Sequence, residues 1–140
     1  MRSLLIAALL FGVMVSPPSR AARCLYYGDV SLTGRLVQQT YPGPPDFESV
    51  TTGDTPLVIW LLQLDTSVCI ESSSPSYPNV YNEREIQVVL GSDQYARTER
   101  YAAYRHFLGK RIGVTGRLVP GGGKYEKPYV ITVQTIEELF

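Results

Sequence analysis

Gly109-Lys-Arg-Ile-Gly-Val-Thr-Gly-Arg-Leu-Val119 ends in a pentapeptide, Thr115-Gly-Arg-Leu-Val119, that stands earlier in the chain as Thr33-Gly-Arg-Leu-Val37. Both copies sit in alternating patterns. Ile112, Val114 and Leu118 share one face of the later segment; Val30, Leu32 and Leu36 share one face of the earlier one. A period of two marks β-strands with one covered side. In each strand a glycine, Gly34 or Gly116, interrupts the apolar row. Shared strand chemistry is one explanation of the repeat. Duplication is a poor one, because nothing else around the two copies matches. Two strands bending sharply at equivalent points of a small closed barrel, each needing glycine at the corner, account for both copies.

Working outward, the first strand covers Val30 to Val37 and the fourth Lys110 to Val119. Gln39 to Pro56 reads as one long loop, since four prolines and two glycines argue against regular structure. Loops of this length in a compact domain are often functional. Leu57 to Asp65 is nearly all apolar and reads as a central strand covered on both faces, with Trp60 in the core and Cys69 just beyond its end. Ser72 to Pro78 is a turn-rich connection. A third strand spans Glu85 to Leu90. Ser92 then suits a helix N-cap, with Asp93 in the first turn. The predicted helix runs to about Leu108. It buries Tyr101, Tyr104 and Leu108, leaves Arg97, Glu99, Arg100 and Arg105 solvated, and stops at Gly109. Gly121 to Pro128 is a glycine-rich turn, and Tyr129 to Ile136 a fifth strand.

Upstream, Arg2 precedes an apolar run from Leu4 to Val15, broken by Ser16-Pro-Pro18. The run is too short for a membrane span and suits a secretory signal peptide, with cleavage expected after Ala21. The expected domain is then residues 22–140 following a signal peptide, 1–21, in one unit of about 119 residues. Arg23 stands where a lipoprotein would need a small residue, so Cys24 reads as a thiol or disulfide partner and no stable membrane anchor is expected. Two cysteines in an exported chain, Cys24 and Cys69, most simply form one disulfide. Loss of Arg2 and Arg20 leaves 11 basic against 13 acidic residues, which argues against a nucleic-acid binder.

Catalytic chemistry finds little support. The single histidine, His106, lies late in the helix, where a surface or helix-end role outweighs a general base. HExxH, GxSxG, Walker and dinucleotide-binding patterns are absent from the sequence. One His and two bridged Cys leave zinc without ligands, so neither a metal nor another cofactor is expected. Glu48 and Asp54 could form a carboxylate pair, although ordering of the loop through backbone N–H groups is the favoured role.

Three strands, a helix and two strands is the order of the oligonucleotide/oligosaccharide-binding barrel, and the segment from Gly109 to Leu118 resembles its fourth strand. The expected fold is therefore mainly β: a five-stranded OB-like barrel with one helix between strands 3 and 4. The chain also resembles a family of exported bacterial proteins of uncharacterised activity. That family shares a Val-x-Leu-Thr-Gly-x-Leu opening, a Gly-Pro-Pro-Asn-Tyr-Glu-Ser-Ile loop, a following Gly-Asp, a later Cys and a Gly-Lys-x-Val-x-Val-x-Gly-x-Leu strand. Here the loop stands as Gly43-Pro-Pro-Asp-Phe-Glu-Ser-Val50, followed by Gly53-Asp54, Cys69 and the strand after Gly109. Relatives often carry histidines in the turn before the last strand; this chain has Gly-Gly-Gly-Lys-Tyr-Glu-Lys127. With no catalytic site in the sequence and an OB-like barrel expected, the leading expectation is a non-catalytic binding protein, periplasmic or secreted. Its candidate contact residues are Tyr41, Phe47, Glu48, Asp54, Lys124 and Tyr125, in the two loops that rim the usual binding face. Exposed aromatics there would stack on a sugar or a partner, unless Tyr41 and Phe47 tuck inward as caps. The partner is an unidentified protein or a small-molecule or glycan ligand. A secreted glycan-binding subunit of an oligomer and an envelope inhibitor or immunity protein are the rival readings.

Overall fold

A computed structural model describes residues 24–91, 94–122 and 127–140. Residues 1–21, expected to form a signal peptide, Ser92 and Asp93, expected to start the helix, and Lys124 and Tyr125 lie outside the described residues. The elements in chain order are β1 (Leu25–Tyr26), β2 (Gly28–Pro42), β3 (Pro56–Glu71), β4 (Val80–Val89), α1 (Gln94–Tyr104), β5 (Arg111–Pro120) and β6 (Tyr129–Glu138). Short 3-10 turns cover Val50–Thr52 and Arg105–Phe107. All strands belong to one six-stranded sheet ordered β1-β3-β2-β5-β6-β4, and a further β3–β4 pairing closes five of them into a ring. Within the ring only β4–β6 is parallel.

The inward residues of the alternating strands fill the ring. Leu36, Leu62, Ile86, Ile112, Leu118 and Ile131 are fully buried, and Trp60, Val88 and Tyr129 nearly so. Burying such a side chain is worth about 1.5–3 kcal/mol, so this cluster is the main source of cohesion. Tyr101, Tyr104, Phe107 and Leu108 pack on it from α1 and the turn after it. Glu99, Arg100 and Arg105 are exposed, and Gly109, at φ 81°, takes the left-handed conformation that ends the helical segment.

The repeated glycines lie at close approaches of backbone. A Cβ on Gly34 would collide with the Gln63 carbonyl, and one on Gly116 with the Thr132 carbonyl. Gly116 also marks the register shift between β5 and β6. β2 pairs with β5 from Gly28 to Arg35 and with β3 from Gly34 to Pro42, so Gly34 sits where the strand exchanges one neighbour for the other.

Several boundaries differ from the sequence reading, the helix among them, whose α-helical part ends at Tyr104 and passes into the 3-10 turn Arg105–Phe107. The first strand runs on through Gln39, Thr40 and Tyr41 to Pro42, which faces Pro56 across the ladder, so the loop shrinks to 43–55. Prolines here end the pairing rather than prevent it, since a strand end needs no further N–H. β3 continues past Asp65, and Cys69 lies inside it, not beyond it. β4 starts at Val80 because irregular register between Gln63 and Ile70 lets the polar Tyr81–Arg84 stretch pair, with Asn82 at φ 56°. The two-residue β1, missed in the sequence, pairs in parallel with Ile70 and Glu71. The disulfide Cys24–Cys69 stands at the head of that pairing, closing a sequence separation of 45.

Replacing Gly116 with Ala should destabilise the fold by about 1–3 kcal/mol in urea unfolding, because backbone must shift. Gly122→Ala, where the added carbon meets open space, should stay within about 0.5 kcal/mol of the parent. The Cys24→Ser/Cys69→Ser double variant should lose about 2–4 kcal/mol by the same measurement.

Candidate functional site

From Gln38 to Pro42, β2 has only β3 as a ladder partner among the described residues, and β4 joins β3 from Trp60 onward. The two strands therefore project as an arm, and the 43–55 loop forms its tip. Its neck is closed by Gly43 N–H to the Thr55 carbonyl and Thr55 N–H to the Pro44 carbonyl, both 2.8 Å. Gly43 is required at this crossing, because a Cβ would lie 2.6 Å from the Thr55 oxygen. The Pro44–Pro45 bond is cis.

Asp54 organises the tip. It is buried, and its carboxylate accepts three backbone N–H groups: Asp46 at 2.9 Å on Oδ1, Glu48 at 2.7 Å and Ser49 at 2.8 Å on Oδ2. The Asp46 amide, then that of Ser49, hold its carboxyl below the ordinary value of 3.8 against the opposing effect of burial. Ser49 in turn caps the 3-10 turn by accepting from Thr51 N–H at 3.2 Å, and Gly53, at φ 115°, ends it. Phe47 takes φ 61°, uncommon for a bulky residue, with its N–H bonded to the Gly43 carbonyl at 3.0 Å.

The candidate residues thus take different places. Asp54 is the buried organiser. Glu48 supplies its amide to that carboxylate, and its side chain is exposed. Phe47 is half-buried at the tip. Tyr41, also half-buried, lies in the ladder opposite Leu57 rather than in the loop. Val50, 42% exposed, was not singled out in the sequence, and it is the large apolar side chain that the tip presents most openly. Lys124 and Tyr125 lie outside the described residues. The end of their turn is anchored: Lys127 Nζ bonds Glu85 at 3.1 Å, and Lys127 N–H bonds Gln87 at 3.3 Å. Lys127, followed by Gln63, holds the Glu85 carboxyl below its ordinary range against the opposing effect of burial. Gln87 faces Leu61 of β3, five residues from Pro56, so this anchor lies about 17 Å along the strand from the neck of the loop.

Elsewhere, His106 is exposed, with Nδ1 2.9 Å from the Ala103 carbonyl. Among the described residues no three His, Cys, Asp or Glu side chains group as a metal site would require. No described helix is long and apolar enough to cross a membrane. A cleft at the base of the arm, lined partly by Trp60 and Arg105, carries no signal in the sequence, where these read as core and surface.

Asp54→Asn should lower the melting temperature at neutral pH, because the amide offers one acceptor oxygen for three N–H groups. The folded carboxyl titrates below its unfolded value, so the stability it contributes is complete above about pH 4 and fades as pH falls through the folded value. The gap between parent and variant in thermal melts should therefore narrow in acid. In comparisons with known proteins, no family model matches the chain and no curated protein is significantly similar to it.

Proposed function

We propose that the protein is a non-catalytic, exported OB-fold binding protein of the bacterial periplasm, engaging its partner through the tip of the projecting arm. The ring of five strands, its single parallel pair and the helix between β4 and β5 in the chain support the OB-like barrel. The disulfide supports maturation in an oxidising compartment.

The observation that carries the reading is the loop held in place by Asp54 from within. A loop already ordered loses little conformational freedom on binding, so more of its contact energy appears as affinity. Val50 on its exposed turn supplies an apolar contact, and Phe47 a half-buried aromatic one. A glycan-binding subunit is the second reading, favoured by Tyr26 and Tyr81, 61% and 63% exposed. Such rings stack on sugars.

Intact mass of the exported protein should show a start at Ala22 or Arg23 and no acyl chain; retention of residues 1–21 would overturn export. Affinity capture from the host's envelope extract should retain a protein partner, and Val50→Asp should weaken that capture about tenfold or more. As a surface change it should leave unfolding within about 0.5 kcal/mol. A partner held equally by Val50→Asp would overturn the assignment to the tip. Ring-sized assemblies with glycan retention would favour the second reading.

A further inference from the structure

Between the inner face of the arm and the C-terminal end of α1 lies a cleft of about 370 Å³, lined by Gln38, Val58, Trp60, Tyr101 and Arg105. Gln38 and Trp60 are direct ladder partners. Val58, two residues along β3, projects from the same face as Trp60. The floor is rigid. Trp60 meets Tyr101 edge-on at 4.8 Å. The Tyr101 hydroxyl donates to the Val88 carbonyl at 3.1 Å and accepts from Leu90 N–H at 3.4 Å. Val58 forms an apolar wall, 48% exposed. Recognition of a polar ligand group then falls to the Gln38 amide and the Arg105 guanidinium. Arg105 is exposed and takes part in none of the ion pairs among the described residues.

The geometry points to a binding site for a small aromatic carboxylate, its ring against Val58 and Tyr101 above Trp60 and its carboxylate on Arg105, with the Gln38 amide as second donor. The volume falls within the range of about 300–1,000 Å³ common to ligand sites, enough for one ring and a short chain. One guanidinium presents a planar fork that matches a single carboxylate. A polyphosphate would call for several cations, and Arg105 is the one cation among the described residues that line the cleft. The site lies at the base of the arm and does not rest on the role assigned to its tip.

The test titrates 3-phenylpropionate and its neutral isostere 3-phenylpropionamide into the full exported protein. Backbone amide NMR shifts locate the binding, and fluorescence of Trp60, the single tryptophan, gives an independent readout. The carboxylate should bind saturably with a Kd of about 1 mM or tighter. Its shifts should centre on Gln38, Val58 and Tyr101, and it should bind about tenfold more tightly than the amide. Arg105→Gln, an exposed change that leaves the spectrum otherwise intact, should remove that preference and bring the two ligands to equal affinity. Val50→Asp should leave it unchanged, which separates this site from the tip. Absence of saturation, equal affinities in the parent protein, or a preference that survives Arg105→Gln would each overturn the assignment.

Discussion

Closing five strands into one ring requires backbone to pass against backbone where a strand changes neighbours, and two glycines make that passage. At Gly34, β2 leaves β5 and continues with β3; at Gly116, β5 shifts register against β6. A side chain at either point would occupy the space of a carbonyl oxygen from the next strand. The bend at Gly34 has a second consequence. It carries the far half of β2 away from the ring with only β3 beside it, so the arm exists because the ring closes. Tip and cleft both inherit their positions from that one exchange of partners.

The core was legible in the sequence wherever the alternation of apolar and polar residues is strict. Leu32, Leu36, Ile112, Val114 and Leu118 are buried as their spacing predicts, and the nearly unbroken apolar run of β3 holds Ile59 to Leu62, all buried on both faces of the strand. The two glycines were legible through their repeated context. The ends of strands were not. Pro42 and Pro56 look like loop residues one at a time, yet they face each other at the end of a ladder, where neither needs to donate a hydrogen bond. Tyr81 to Arg84 are polar and lack alternation; they pair because shifts in register between β3 and β4 absorb the mismatch. β1 is two residues long, too short for any periodicity. The disulfide beside it, by contrast, followed from the cysteine count.

The candidate site shows a similar division. The loop was conspicuous by composition, and Glu48 and Asp54 were both legible as carboxylates that could order it through backbone N–H groups, but the sequence does not tell which of the two does so. What distinguishes Asp54 is that the chain folds back until three N–H groups point at one carboxylate. The cleft is illegible for a different reason. Gln38, Trp60 and Arg105 lie far apart in sequence, and each alone has an ordinary role as strand, core or helix-end residue.

The disulfide belongs to this argument through β1. Two residues in parallel pairing cannot hold themselves on a sheet edge, since ordering each residue costs about 1–2 kcal/mol and two residues offer few hydrogen bonds in return. Cys24 immediately precedes them, and Cys69 immediately precedes their partners Ile70 and Glu71. The covalent link sets register and proximity at once, so that Leu25 can reach the core from outside the ring and the Tyr26 hydroxyl can reach the Glu71 carboxylate at 3.2 Å. Reduction would therefore release β1 first, while the ring, whose cohesion comes from Leu36, Leu62, Ile86 and their neighbours, would keep its own pairing. The bridge secures the margin of the fold, and the two glycines secure its centre.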